Sequence, residues 1–208
     1  MNLNNYYWYF TGALSSKFCD EVIKYAKEKQ EELALTGLLD PDKKLSNKEI
    51  KDLKKYRNSN IVWLNDQWIY NEIYPYIHNA NKSSGWNFQW DWSESCQFTK
   101  YAKGQFYDWH CDSWESPYEN TNDKNFYNKI RKLSVTVSLT DPSEYKGGEL
   151  EFDFRNNVNG KPNIRKCKEI LPKGSICVFP SFVWHRVTPV TSGTRYSLVI
   201  WNIGHPFK

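Results

Sequence analysis

The segment 101–112, YAKGQFYDWHCD, closes on a His-x-Asp pair, and a second histidine stands far along the chain within FVWHRVTPVTSGTRYSL. On a β-strand successive side chains alternate between faces, so His110 and Asp112 share one face while Trp109 and Cys111 take the other. With His185 arriving from a distant strand, two imidazoles and one carboxylate form a donor set suited to a ferrous ion. Three ligands on one triangular face leave three positions open for substrate, cosubstrate and O2. A lone His-x-Asp is common on solvated strands; it is the second histidine and a following arginine that give the pair its meaning.

That arginine is Arg195, beyond Pro189 and Gly193. These two read as a turn that returns the chain antiparallel to the strand of His185. A guanidinium so placed faces the same cavity as the metal and suits the far carboxylate of a dicarboxylate whose other end chelates the ion. 2-Oxoglutarate has that shape. Fe(II) with one Asp leaves +1, Arg195 adds +1 and the diacid brings −2, so the buried site becomes neutral, as a low-dielectric interior requires.

The combined pattern resembles the Fe(II)/2-oxoglutarate dioxygenases of the prolyl 4-hydroxylase type, including the bacterial and phage proteins called PKHD-type hydroxylases. It runs Tyr101-x-x-Gly104-x-x-Tyr107-x-x-His110-x-Asp112, then Gly147-Gly148-Glu149-Leu150, then His185-Arg186-Val187-x-Pro189-Val190-x-x-Gly193-x-Arg195-x-Ser197-Leu198. An apolar entry segment, 6–10, and a Ser-led helix with Phe18, Cys19 and Ile23 extend the similarity over nearly the whole chain. The resemblance implies that His110, Asp112 and His185 hold iron, that Arg195 holds the C5 carboxylate of 2-oxoglutarate, and that Tyr101 hydrogen-bonds the cosubstrate. It further implies O2 as second cosubstrate, L-ascorbate to re-reduce the iron, and a proline-containing peptide or protein as substrate, giving 4-hydroxyproline, succinate and CO2. Animal relatives carry a tyrosine near the position of Ser138 that also touches the C5 carboxylate. Ser197, on the face of Arg195, offers a hydroxyl in its place. Tyr107, Trp184, Trp201 and Trp114 are candidates for the substrate pocket.

Two other classes stay open at this level. One is the same chemistry on another side chain, a free amino acid or a nucleobase; the other is a binding module that keeps the fold without turnover. A nucleobase would call for a continuous basic groove with stacking rings, which the chain does not show. The formal charge is +4, and its basic runs are interleaved with acids, so nucleic acid is not an expected partner. Nor does Gly147-Gly148 precede the helix and lysine of a phosphate cradle; the pair reads as a turn or bulge.

The elements that must position these residues read as a helical front, 1–85, and a β-rich core, 86–208, of one domain. Apolar spacing and Ser15 or Ser16 as N-cap predict a helix over 15–35, and 66–79 a second, with 37–56 a loop holding a short helical piece. Period-two alternation, clearest in LSVTVSL and RYSLVIW, predicts strands over 87–92, 95–101, 105–110, 132–139, 148–154, 168–171, 175–179, 185–187 and 195–202. Short antiparallel strands in this number describe an α+β, mainly β fold, a double-stranded β-helix or jelly roll supported by N-terminal helices. The segment 113–129 is polar yet holds Trp114, Tyr118, Phe126 and Tyr127, and reads as a lid over the substrate.

The chain has 208 residues, 17% of them aromatic, with ten Trp, enough to build a core on large rings. No apolar run spans a bilayer and the N-terminus lacks the layout of a signal peptide. Five scattered cysteines without C-x-x-C point to free thiols in a reducing cytoplasm, the host's if the frequent asparagines reflect A/T-rich phage coding. His78 and His205 read as structural or solvated.

Overall fold

The computed structural model describes residues 5–35, 45–113, 116–119 and 121–207. In chain order these form β1 (Trp8–Phe10), α1 (Ser16–Lys27), β2 (Glu32–Leu33), α2 (Asn47–Tyr56), β3 (Arg57–Asn58), β4 (Asn60–Leu64), α3 (Gln67–Ser83), β5 (Trp92–Ser93), β6 (Cys96–Tyr101) and β7 (Phe106–His110). After these come β8 (Ile130–Ser138), β9 (Tyr145–Gly147), β10 (Leu150–Val158), β11 (Lys161–Lys166), β12 (Ile176–Pro180), β13 (Trp184–Val187), β14 (Val190–Gly193) and β15 (Arg195–Gly204).

Two antiparallel sheets hold the site between them, as in a jelly roll. The larger runs β1-β12-β8-β15-β6-β4-β2, with β5 on β15, and the smaller runs β11-β10-β13-β7-β3. Alternation along the larger sheet explains the division of labour. Leu198 and Ile200 of β15, Leu133, Val135 and Val137 of β8 and Phe98 of β6 belong to one apolar cluster with α1 and α3. Their neighbours in sequence, Arg195, Ser197 and Trp201 on β15, Thr136 on β8 and Gln97 and Thr99 on β6, line a cavity on the inner side. The pattern is inverted relative to an ordinary one-faced sheet: apolar residues face the helices and polar ones face inward.

The helices are built for that outer face. Ser15 accepts from the Phe18 amide at 3.1 Å and caps α1, whose buried residues Phe18, Cys19, Val22 and Ala26 recur at helical spacing. In α3, Ile69, Tyr70, Ile73, Ile77 and Ala80 form the buried stripe. The first helix stops at Lys27 rather than continuing to 35, because Glu32–Leu33 pair with β4. A helix of ten residues, α2, occupies part of the stretch read as mostly loop; Ser46 and Glu49 close a reciprocal capping box at its start.

Three further expectations are corrected. Segment 168–171 is not a strand: Lys168–Ile170 is a single 3-10 turn. Of 87–92, only Trp92 enters a strand; Asn87 has φ 52° and the Phe88 amide donates to Asn81 Oδ1, which bends the chain out of extended form. Nor do β13 and β15 make a hairpin. β13 pairs with β10 and β7, β15 with β6, β8 and β5, and between them β14 pairs with β9, so the chain crosses from one sheet to the other. The N-terminal third also contributes β1 to β4 to the sheets as well as its helices.

Candidate metal centre and cosubstrate pocket

His110 ends β7, and His185 sits directly opposite it on β13. Asp112 lies just beyond the strand, where its amide donates to Ser181 O at 2.8 Å and keeps its side chain beside the histidines. All three are buried, and one ligand atom from each lies within 4.8 Å of the others. His110 Nε2 is 3.8 Å from Asp112 Oδ1 and His185 Nε2 is 3.6 Å from Asp112 Oδ2.

The surroundings set the ligand atoms. His110 Nδ1 is 2.7 Å from Asp108 O and His185 Nδ1 is 3.0 Å from Val183 O. A carbonyl accepts only, so each Nδ1 carries a proton and each Nε2 is the nitrogen turned toward Asp112. Ser134 donates to Asp112 Oδ2 at 2.7 Å. Burial holds the His110 imidazole well below its ordinary pKa, reinforced by His185, so the ring is neutral and able to ligate. Burial raises the Asp112 carboxyl, but the neighbouring His185 and His110, Arg131 and the Ser134 hydroxyl outweigh it and keep it below its ordinary value.

The cavity around this triad encloses about 470 Å³ including its mouth. Across from the histidines, on the other sheet, Arg195 is buried, 3% exposed, and donates to Ser197 Oγ at 3.2 Å. Tyr101 pairs with Arg195 in register, and the guanidinium lies 5.6 Å from its ring centre. Ser138 adjoins Ser197 in register. His110, Asp112, His185, Arg195, Ser197, Tyr101, Tyr107 and Trp201 therefore meet at one cavity.

Trp184 does not join them. One residue from His185 on the same strand, it takes the opposite face, and its ring lies 3.9 Å under the Arg155 guanidinium. Trp114 falls outside the described residues. His78 stacks on Trp90 at 4.9 Å and His205 is exposed at Asn128 O, both away from the cavity.

Sequence reading missed several side chains of the wall. Arg57, on β3, lies 4.4 Å over the Tyr107 ring; Gln97 accepts from it. Behind the lining residue Trp201, Arg131 forms a two-pronged pair with Glu94, both contacts 2.6 Å, and packs 3.9 Å from the Trp201 ring. The inward direction of Arg57 follows from the pairing of β3 with β7; its one sequence signal is a charge four residues before the run Ile61–Leu64.

Residues 96–202 match the family model of the 2OG-Fe(II) oxygenase superfamily. The chain belongs to that superfamily. 2OG-Fe(II) oxygenases use Fe(II), 2-oxoglutarate and O2, and the His-Asp-His cluster with a buried arginine opposite is a donor set that fits those groups. Among curated oxygenase relatives, a PKHD-type hydroxylase of Prochlorococcus marinus is 38% identical over 50% of this chain and 39% of its own length. Another, from Hyphomonas neptunium, is 43% identical over 33% of this chain and 27% of its own. The chain thus spans well under half the length of these relatives. Among solved oxygenase structures, the viral collagen prolyl hydroxylase of Paramecium Bursaria Chlorella virus-1 superposes with TM-score 0.63 at 21% identity, covering 97% of both chains. A Pseudomonas putida prolyl-4-hydroxylase gives TM-score 0.63 at 18% identity over 96% of this chain and 92% of its own. These superpositions establish the jelly-roll fold of this oxygenase.

Proposed function

We propose that this oxygenase hydroxylates peptidyl proline, converting it to 4-hydroxyproline with release of succinate and CO2. Residues 1–208 act in this reading as one oxygenase domain. The observation that supports it is the meeting of the His110, Asp112 and His185 triad with Arg195 in a single buried cavity, from opposite sheets.

The residues divide as follows. His110 and His185 present Nε2, and Asp112 a carboxylate oxygen, to Fe(II), with Ser134 and two backbone carbonyls fixing their orientation. Arg195 and Ser197 hold the far carboxylate of 2-oxoglutarate, and Tyr101 lies beside them. When bound, iron with O2 and 2-oxoglutarate supplies the oxidising power that replaces a C–H bond by C–OH. The protein contributes binding, orientation and a cavity shielded from water. Trp201 offers a ring face to a pyrrolidine and Tyr107, its ring held between Arg57 and His110, only an edge, and L-ascorbate keeps the iron ferrous after turnover without substrate. Segment 113–129 acts as the lid; in its described part Tyr118 donates to Glu94 at the Arg131 end of the cavity. The five free cysteines suit work in a reducing cytoplasm, and no described helix is long and apolar enough to cross a membrane.

The test is succinate formation from 2-oxoglutarate by the purified chain with Fe(II) and ascorbate under air, with and without proline-containing peptides. Peptide-stimulated succinate with a mass gain of about 16 Da on proline is the expected result, the mass of one inserted oxygen. Succinate that no peptide stimulates would move the substrate elsewhere.

A further inference from the structure

Arg57 changes the charge of the cavity. Its side chain is buried, 6% exposed, and faces the same space as Arg195. Nε donates to Ser59 Oγ at 3.2 Å, one terminal nitrogen to Leu35 O at 2.8 Å and the other to Gln97 Oε1 at 2.5 Å. All three acceptors are neutral, and a guanidinium has five N–H donors, so two remain. Among the described residues no carboxylate forms an ion pair with it. Its planar face rests on Tyr107, which stacks on His110 with ring centres 3.5 Å apart. The cation therefore stands one aromatic ring away from a metal-site imidazole.

Counting the wall gives an imbalance. Glu94 and Arg131 form a closed pair. Arg57, Arg195 and Asp112 then leave the cavity at +1. Fe(II) and 2-oxoglutarate add +2 and −2, so the loaded cavity is still +1. A buried charge without a counterion is unfavourable, and a site that closes over substrate makes it more so. A second polar group of the wall is also open: Trp201 Nε1 is buried with no hydrogen-bond partner among the described residues. The groups waiting for substrate are thus donors.

We infer that the primary substrate is an anion, and that Arg57 binds its carboxylate and selects for it. This rests on the hydroxylase reading above and narrows it. The middle of a neutral peptide does not provide such a charge. A small imino or amino acid derivative does, and so does a prolyl residue followed closely by a chain-terminal or side-chain carboxylate. Trp201 Nε1 takes a further acceptor of the same molecule. Arg57 becomes the specificity-determining residue of a site whose chemistry is set elsewhere.

The experiment uses the full chain loaded with Fe(II) and 2-oxoglutarate under nitrogen, which permits binding without turnover, and follows tryptophan fluorescence and heat of binding. The probes are two matched pairs: N-acetyl-L-proline and its amide, and acetyl-Ala-Pro-Ala as free acid and as amide. At least one acid should bind tenfold or more tightly than its amide, with the preference weakening as salt is raised; the pair that shows it tells small acid from peptide. In Arg57→Gln the ratio should fall to near one, while Arg57→Lys, which keeps the charge, should retain part of it. Equal binding of acid and amide in both pairs, or no binding by any probe, overturns the inference. So does a preference that persists in folded Arg57→Gln, which would make Arg57 a structural clamp on Leu35 and Gln97. Admitting air separates the two levels: failure to form succinate from 2-oxoglutarate would defeat the oxygenase role itself, whereas succinate without any carboxylate preference defeats only the assignment of Arg57.

Discussion

Arg195 is buried with Ser197 as a neutral partner, so most of its donors remain for a carboxylate. Removing one side of a buried charge-assisted contact costs about 2–3 kcal/mol. Arg195→Ala should therefore raise the KM for 2-oxoglutarate on the order of 30-fold or more while iron still binds. Succinate formation against cosubstrate concentration checks this, and a rise of less than about threefold would transfer the far carboxylate to Arg57, using the same conversion. His110 gives a pH prediction. Its ring is held neutral in the folded metal-free protein, whereas the unfolded ring takes up a proton near its ordinary pKa. The unfolded state thus binds more protons below about pH 6.5, and stability must fall as pH drops through that value. Asp112, whose carboxyl is depressed, adds a further loss only below about pH 4. Melting midpoints of metal-free protein between pH 7.5 and 5 should show the first decline; a flat profile would mean the ring is not held neutral. At this scale the sequence was informative because two histidines, an aspartate and an arginine are chemically uncommon together. Arg57 was not legible, since only the pairing of β3 with β7 turns it inward. Trp184 was misplaced by one residue of strand alternation.

At the level of elements, the turn between β9 and β10 determines where Arg195 can lie. Gly148 has φ 66°, and a Cβ built there would sit 3.0 Å from Arg195 Cδ and 2.9 Å from Val190 Cγ2. Gly148→Ala should destabilise the fold by about 1–2 kcal/mol through the left-handed backbone alone. By displacing the arginine it should also weaken 2-oxoglutarate binding several-fold. Isothermal titration beside a melting curve separates the two effects; loss of stability with unaltered affinity would show that Arg195 tolerates the shift. Helices α1 and α3 were readable from apolar spacing, and β6, β8 and β15 from alternation. Two local signals went unused. Asn159-Gly160, both at positive φ, joins β10 to β11 as a tight hairpin, and Ser46-x-x-Glu49 announces α2. The run after 168 failed as a strand for the opposite reason: tertiary packing of Ile170 gave it a single turn instead.

For the molecule as a whole, the division into two sheets was the least legible feature, because short strands of similar pattern do not declare their partners. Their assignment decides that the His110, Asp112 and His185 cluster and Arg195 come from opposite sides. Ligands that bind only the folded state stabilise it by about 2.7 kcal/mol at a hundred times Kd, or roughly 5–10 °C in melting midpoint for a chain of this size. Mn(II) with 2-oxoglutarate should produce such a rise, and His110→Ala should lose its metal-dependent share. An equal rise in the variant would locate the metal elsewhere.

The crossing from β13 to β15 has a mechanical consequence. On the function proposed above, a five-carbon diacid held at one end by the smaller sheet's triad and at the other by Arg195 on the larger sheet would act as a strut across the sandwich. Its length then sets the spacing of the two layers, so that backbone amides in β7 and β15, far apart in sequence and in different sheets, should slow their hydrogen exchange together when it binds.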